Sequence, residues 1–116
     1  MHFKLIIIMV EDRRSKDIID AARDAGATGC TVLNHARGEG VSPASTFLGL
    51  SIDSQMDVIL LLAEEHMSRD ILEQVARVGQ FDNRPGSGIA FQIDVEDAIG
   101  VRHQIAALSE AVEDRL

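Results

Sequence analysis

The sequence contains no tryptophan, no tyrosine and one cysteine, Cys30. Without Trp and Tyr there is no obvious stacking platform for single-stranded nucleic acid. A lone cysteine excludes an internal disulfide and a Cys-rich zinc site. Positive charge is also scarce: 11 Lys and Arg face 19 Asp and Glu, a net charge of −8. Such a balance argues against a broad nucleic-acid or anionic-membrane surface, which needs a basic stripe. A small anionic ligand stays compatible with it, because a pocket needs only a few local cations. Long apolar runs are missing as well. The first run, Leu5-Ile6-Ile7-Ile8-Met9-Val10, is too short for a signal segment and meets acidic residues at once. No run approaches the ~20 residues of a membrane span. The expectation is a cytoplasmic protein without membrane insertion.

What is present fits a single domain spanning residues 1–116, since 46% hydrophobic and 26% charged residues are enough for a core and too apolar for disorder. The Leu5 to Val10 run, mostly β-branched, reads as a strand buried on both faces. Ser15 reads as an N-cap with Asp17 in the first turn, and Ile18, Ala21, Ala22 and Ala25 recur at helical spacing. Gly26 supplies the stop.

The same grammar returns 53 residues later. Val58 stands for Leu5, Glu64 for Glu11, Ser68 for Ser15 and Gly79 for Gly26, so the chain reads as a duplicated strand–helix unit. A further strand follows each helix, at 29–36 and 88–94. Between the halves, 46–52 reads as an extended arm, and Asp53-Ser54-Gln55 as the turn joining it to a strand from Met56. The order is α+β: a ferredoxin-like βαββαβ sandwich with both helices on one sheet face. Residues 102–116 form a weakly patterned C-terminal helix. Apolar side chains on both faces of the central strands leave one face without cover, which points to oligomerisation through the sheet.

Several stretches together resemble the PII signal-transduction family. They are Lys4-Leu5-Ile6-Ile7-Ile8, Ala25-Gly26-Ala27-Thr28-Gly29-Cys30-Thr31-Val32, Arg37-Gly38-Glu39-Gly40, and the run from Gly86-Ser87-Gly88-Ile89-Ala90-Phe91 through Asp94-Val95 to Ile99. The resemblance covers nearly the whole chain. It implies a homotrimer whose inter-subunit clefts bind an adenine nucleotide (ADP, AMP or ATP), and a non-enzymatic regulator acting on a membrane transporter or an enzyme. By motif position, Gly29 and Thr31 are the adenine-side contacts, and Gly38 and Gly40 form the base of the regulatory loop beside Arg37. Leu61 falls on the strand that reads the base through backbone groups. Gly86, Ser87 and Gly88 face the phosphates, and Arg102 is the second of two phosphate arginines. Glycine turns that expose N–H groups, with an arginine fork beside them, suit phosphate oxygens.

The chain also departs from the family pattern. The phosphate loop usually reads Gly-Asp-Gly-Lys, whereas here Ile89 stands in the lysine's place, and Gly100 stands where the first phosphate arginine is expected. Fewer cations favour a ligand of lower charge, ADP or AMP. Arg37 or Arg84 can compensate for the missing cations, although their positions do not match the family's ligands. Val41 replaces the glutamine that helps hold magnesium and 2-oxoglutarate, the loop 41–45 is very short, and tyrosine uridylylation is impossible.

Taken singly, Gly38 and Gly40 read as a strand-ending turn, Arg102 as surface charge and Thr31 as an ordinary strand residue. Glu11, Asp12, Glu64 and Glu65 read as solvated charge, and Cys30 as a small core residue within a strand. No Ser–His–Asp set emerges from the spacing. His2, His35, His66 and His103 show no metal-ligand spacing, so no metal residue is assigned. The alternative function is a trimer of the same fold with a decayed nucleotide site, acting as a metal-responsive or structural interaction module, with His35 and His103 meeting across subunits.

Overall fold

The computed structural model of the chain describes residues 1–37, 46–47, 50–51 and 55–115. Strand β1 (Phe3–Glu11) leads through a 3-10 turn (Asp12–Arg14) into α1 (Ser15–Asp24) and strand β2 (Thr31–Ala36). Two short strands, β3 (Thr46–Phe47) and β4 (Leu50–Ser51), precede β5 (Met56–Glu64), α2 (Glu65–Gly79), β6 (Gly88–Val95) and α3 (Arg102–Arg115). The main sheet has the order β2-β5-β1-β6, antiparallel throughout. This is the α+β arrangement expected of the duplicated unit.

Strands β1 and β5 pair without a break from Phe3↔Glu64 to Glu11↔Met56. Because side chains alternate across a strand, this register puts Ile6, Ile8 and Val10 on the same face as Ile59, Leu61 and Ala63. There they meet Ile18, Ala21 and Ala22 of α1 and Met67, Ile71 and Val75 of α2 in one buried cluster. Each large aliphatic side chain buried there contributes roughly 1.5–3 kcal/mol. On the opposite face Leu5, Ile7, Met9, Val58, Leu60, Leu62, Ile89 and Phe91 are only half-buried. Leu33 and Ile93 on that face are exposed, at 51% and 48%. Helix α3 packs against β5, and its Val112 reaches the buried cluster.

The duplication is legible in the element bounds: β1 and β5 start and end 53 residues apart. Both helices also close alike. Gly26 N–H donates to the Arg23 carbonyl (3.0 Å) and Ala27 N–H to that of Ala22 (2.9 Å). Gln80 and Phe81 make the same pair of bonds to Arg77 (3.2 Å) and Ala76 (3.0 Å). This is the Schellman closure, which requires a left-handed residue. In α1 that residue is Gly26 (φ 114°); in α2 it is Gln80 (φ 56°), not Gly79. The repeat therefore slips by one residue at the second helix end, and Gly79 stays within the helix.

Other expectations are corrected too. Ser15 is not an N-cap, because the 3-10 turn runs directly into α1 and Arg14 occupies the cap position without a side-chain bond. Ser15 is buried and donates its hydroxyl to Oδ2 of the buried Asp57 on β5 (2.5 Å). Likewise α2 starts at Glu65, before Ser68, and its cap is Glu64. Glu64 is not solvated charge: it is 3% exposed and accepts from the His66 N–H (2.7 Å). Cys30 is exposed and precedes β2. The segment read as one extended arm pairs with itself, Thr46↔Ser51 and Phe47↔Leu50, in a separate two-stranded sheet. Asp53 and Ser54 of the turn after it lie outside the described residues.

The Ser15–Asp57 bond ties the start of α1 to the sheet. Ser15→Ala leaves the buried carboxylate short of a donor and is expected to cost about 1–3 kcal/mol, read by urea unfolding at fixed protein concentration. Combining it with Asp57→Ala should cost less than the two single changes added together.

Candidate functional site

The turn 80–87 joins α2 to β6, and one carbonyl organises it. The Gln80 oxygen accepts from the N–H groups of Asn83 (3.2 Å) and Arg84 (2.9 Å) and from Ser87 Oγ (3.0 Å). Ser87 N–H donates to the Arg84 carbonyl (3.2 Å). From the 3-10 turn on the other side, Arg14 donates to the Ser87 carbonyl (3.0 Å) and the Gly79 carbonyl (2.7 Å). One guanidinium thus spans both ends of the turn. Gly86 sits at φ 79°, a conformation that favours glycine.

Gly88 has another reason to be glycine. A Cβ there would lie 2.3 Å from Cε1 of Phe81, and one at Gly79 would lie 2.2 Å from the same atom. The Phe81 ring lies against both backbones, which accounts for glycine at 79 and 88 without any ligand.

Beside this turn is a cleft of about 290 Å³ lined by Arg13, Arg14 and Arg84, with Glu11, Pro85, Gly86 and Ser87. Arg13 donates through Nε to Glu11 (2.7 Å). Of the residues lining this cleft, Arg84, Gly86 and Ser87 stand out in the sequence and Arg13 and Arg14 do not. Their signal was the basic pair following the first strand.

The remaining predicted residues lie elsewhere. Gly29 is exposed with open space around it, Thr31 is exposed at the start of β2 opposite Leu60, and Arg37 follows that strand. The β2–β5 register breaks between Leu33 and Ala36, and His35 there adopts φ 64°. Such bulges re-aim the chain at strand ends, and nothing in the sequence announced this one. Leu61 is a core side chain, 2% exposed, so only its backbone is available for recognition. Arg102 is exposed at the first residue of α3. Gly38, Gly40 and the loop 41–45 lie outside the described residues.

These positions fall into two groups. Gly29, Thr31 and Arg37 belong to the β2 edge of the sheet, and Gly86, Ser87 and Gly88 to the β6 edge, with β5 and β1 between. One copy of the sheet keeps the two groups apart.

A second charged cluster surrounds the first residues of β1. His2 lies 3.4 Å from both Glu65 and Asp94, and Lys4 pairs with Asp94. The Lys4 hydrogen bond and charge, joined by His2, hold the Asp94 carboxyl below its usual range despite some opposing desolvation. Among the described residues, Glu64, Glu65 and His66 are spaced to hold a cation. Glu64 is already engaged with His66 as the α2 cap. No helix among the described residues is long and apolar enough to cross a membrane.

The family model for the nitrogen regulatory protein P-II matches residues 3–104. The chain belongs to the P-II family. A comparison with curated proteins returns no match. Among solved structures, the P-II chain resembles CPII of Thiomonas intermedia K12 bound to ADP, AMP and acetate. That match has a TM-score of 0.65 at 19% identity, over 86% of this chain and 92% of that one. CPII bound to ADP and bicarbonate matches at TM-score 0.62 and 22% identity, over 82% and 87%. The B. subtilis GlnK–ATP complex matches at 0.66 and 18%, over 87% and 88%. At these identities the structural likeness speaks for the fold.

In this P-II chain the Phe81 wedge generates a test. Gly88→Ala is expected to destabilise the fold by about 1–3 kcal/mol, through overpacking against Phe81 and backbone strain at its φ of 157°, measured by thermal or urea unfolding. Adding Phe81→Leu should recover part of that loss. An unchanged transition for Gly88→Ala alone would remove the packing explanation for this glycine.

Proposed function

We propose that this P-II protein is a non-enzymatic cytoplasmic regulator, its residues 1–116 acting as one PII-like unit. It senses an adenine nucleotide in clefts between the subunits of a homotrimer and regulates a transporter or an enzyme. The observation that carries the reading is the separation of the two groups of site residues. Gly29, Thr31 and Arg37 sit at one edge of the sheet and Gly86 to Gly88 at the other. A site using both edges has to draw them from neighbouring copies.

The half-buried apolar face supplies the reason for such copies to assemble. Leu5, Ile7, Met9, Val58, Leu60 and Phe91, with the exposed Leu33 and Ile93, form a patch of the kind that marks an interface. The nucleotide class follows from the relatives: CPII is described bound to ADP and AMP, and GlnK to ATP. With Ile89 and Gly100 in place of two family cations, ADP or AMP is the better-matched ligand for this chain. In the proposed site, Gly29 and Thr31 flank the adenine with the Leu61 backbone. Arg37, Gly38 and Gly40 form the base of the readout loop, and Gly86, Ser87, Gly88 and Arg102 face the phosphates. Regulation then rests on the ligand's differential affinity for two conformational states, since equal affinity would shift nothing.

Titration calorimetry with ATP, ADP and AMP should show at least one micromolar binder, about −8 kcal/mol. Arg102→Ala should weaken it roughly tenfold or more, the worth of a charge-assisted hydrogen bond. Sedimentation of the unliganded protein should report a trimer. Absence of heat with all three nucleotides, on a folded trimer, would overturn the nucleotide reading.

A further inference from the structure

We propose that Arg13 and Arg84, beside the Gly86–Ser87 turn that Arg14 holds in place, form an oxyanion site whose ligand is a phosphate or diphosphate group. These arginines come from two separate elements. Arg13 and Arg14 lie in the 3-10 turn after β1, and Arg84 lies in the turn after α2. All three line one cleft of about 290 Å³, at the small end of ligand-pocket sizes.

Charge makes the cluster informative. The chain has 11 Lys and Arg against 19 Asp and Glu, yet three of those cations converge here. Like charges brought together repel, and the cleft holds one carboxylate, Glu11, as compensation. That carboxylate is engaged by Arg13. Arg84 is exposed and makes no ion pair among the described residues. Arg14 is a positioning residue: its two bonds to the Ser87 and Gly79 carbonyls fix the turn. The left-handed Gly86 keeps the chain free of a Cβ where an anion would approach. Guanidinium groups lining a cleft beside a glycine turn suit the multi-oxygen geometry of a phosphate.

The site deepens the nucleotide reading and rests on it only for the source of the phosphate. It places the cations on the β1–α1 connection and the α2–β6 turn, where Ile89 and Gly100 supply none. The group bound is either the phosphate chain of the nucleotide or free inorganic phosphate.

The test is calorimetry of the full chain with inorganic pyrophosphate, phosphate, adenosine, AMP and ADP, on wild type and on R13Q/R84Q. Both substituted side chains are exposed, so the variant should retain the wild-type unfolding transition and oligomeric state. Pyrophosphate should bind wild type and weaken at least tenfold in R13Q/R84Q, with R13K/R84K intermediate. If the source is the nucleotide, pyrophosphate competes with ADP, and the preference for ADP over adenosine shrinks in the variant. If it is free phosphate, pyrophosphate and ADP bind together, and the ADP affinity is unchanged. No binding of pyrophosphate, or equal binding to both proteins, overturns the proposal. Should adenosine and ADP still bind in that case, the nucleotide reading stands without it. Arginine-dependent pyrophosphate binding with no response to any adenine compound would retain the oxyanion site and remove the nucleotide reading.

Discussion

The unbroken antiparallel pairing of β1 with β5 is the constraint on which the rest of the molecule depends. Nine consecutive residue pairs fix which side chains face the helices, and a slip of one residue would turn every one of them over. The register places Ile6, Ile8, Ile59 and Leu61 under α1 and α2, and it leaves Leu5, Ile7, Val58 and Leu60 on the other face. It also makes β2 and β6 the two edges of the sheet. The separation of the predicted site residues and the uncovered apolar face therefore both follow from the central position of this pair.

Where the two halves differ is as informative as where they agree. Both helices close by the same hydrogen-bond pattern, yet only the second is followed by the turn 80–87. That turn gathers three donors on the Gln80 carbonyl, places Phe81 against Gly79 and Gly88, and is held from outside by Arg14. A loop with so many internal bonds presents its backbone in one conformation. Preorganisation of this kind lowers the ordering cost of any binding at the turn.

Much of this was legible in the sequence because it follows from periodicity. The apolar runs, the helical spacing of Ile18, Ala21 and Ala22, and the offset between halves determine the element order. What escaped depends on contacts between residues distant in the chain. Ser15 has the chemistry of a cap, but the preceding 3-10 turn and the proximity of Asp57 redirect its hydroxyl. Gly79 looked like a helix stop, and it is glycine because of Phe81, whose ring returns from beyond the helix end. Glu64 and Glu65 are adjacent carboxylates, yet the cap geometry buries the first and leaves the second exposed. The grouping of Arg13 and Arg14 with Arg84 needed the fold, since some 70 residues separate them.

The arginine cleft shows where a chain of net charge −8 gathers positive charge. Long-range repulsion between exposed charges fades within roughly 8–10 Å at physiological salt, so an anion close to the surface responds mainly to its immediate surroundings. At the 80–87 turn those surroundings are three guanidiniums, one carboxylate and a glycine turn. Acidic residues elsewhere disfavour nucleic acid and extended anionic surfaces. In the proposed site the positive charge comes from the first strand–helix connection and the 80–87 turn, since Ile89 and Gly100 supply none.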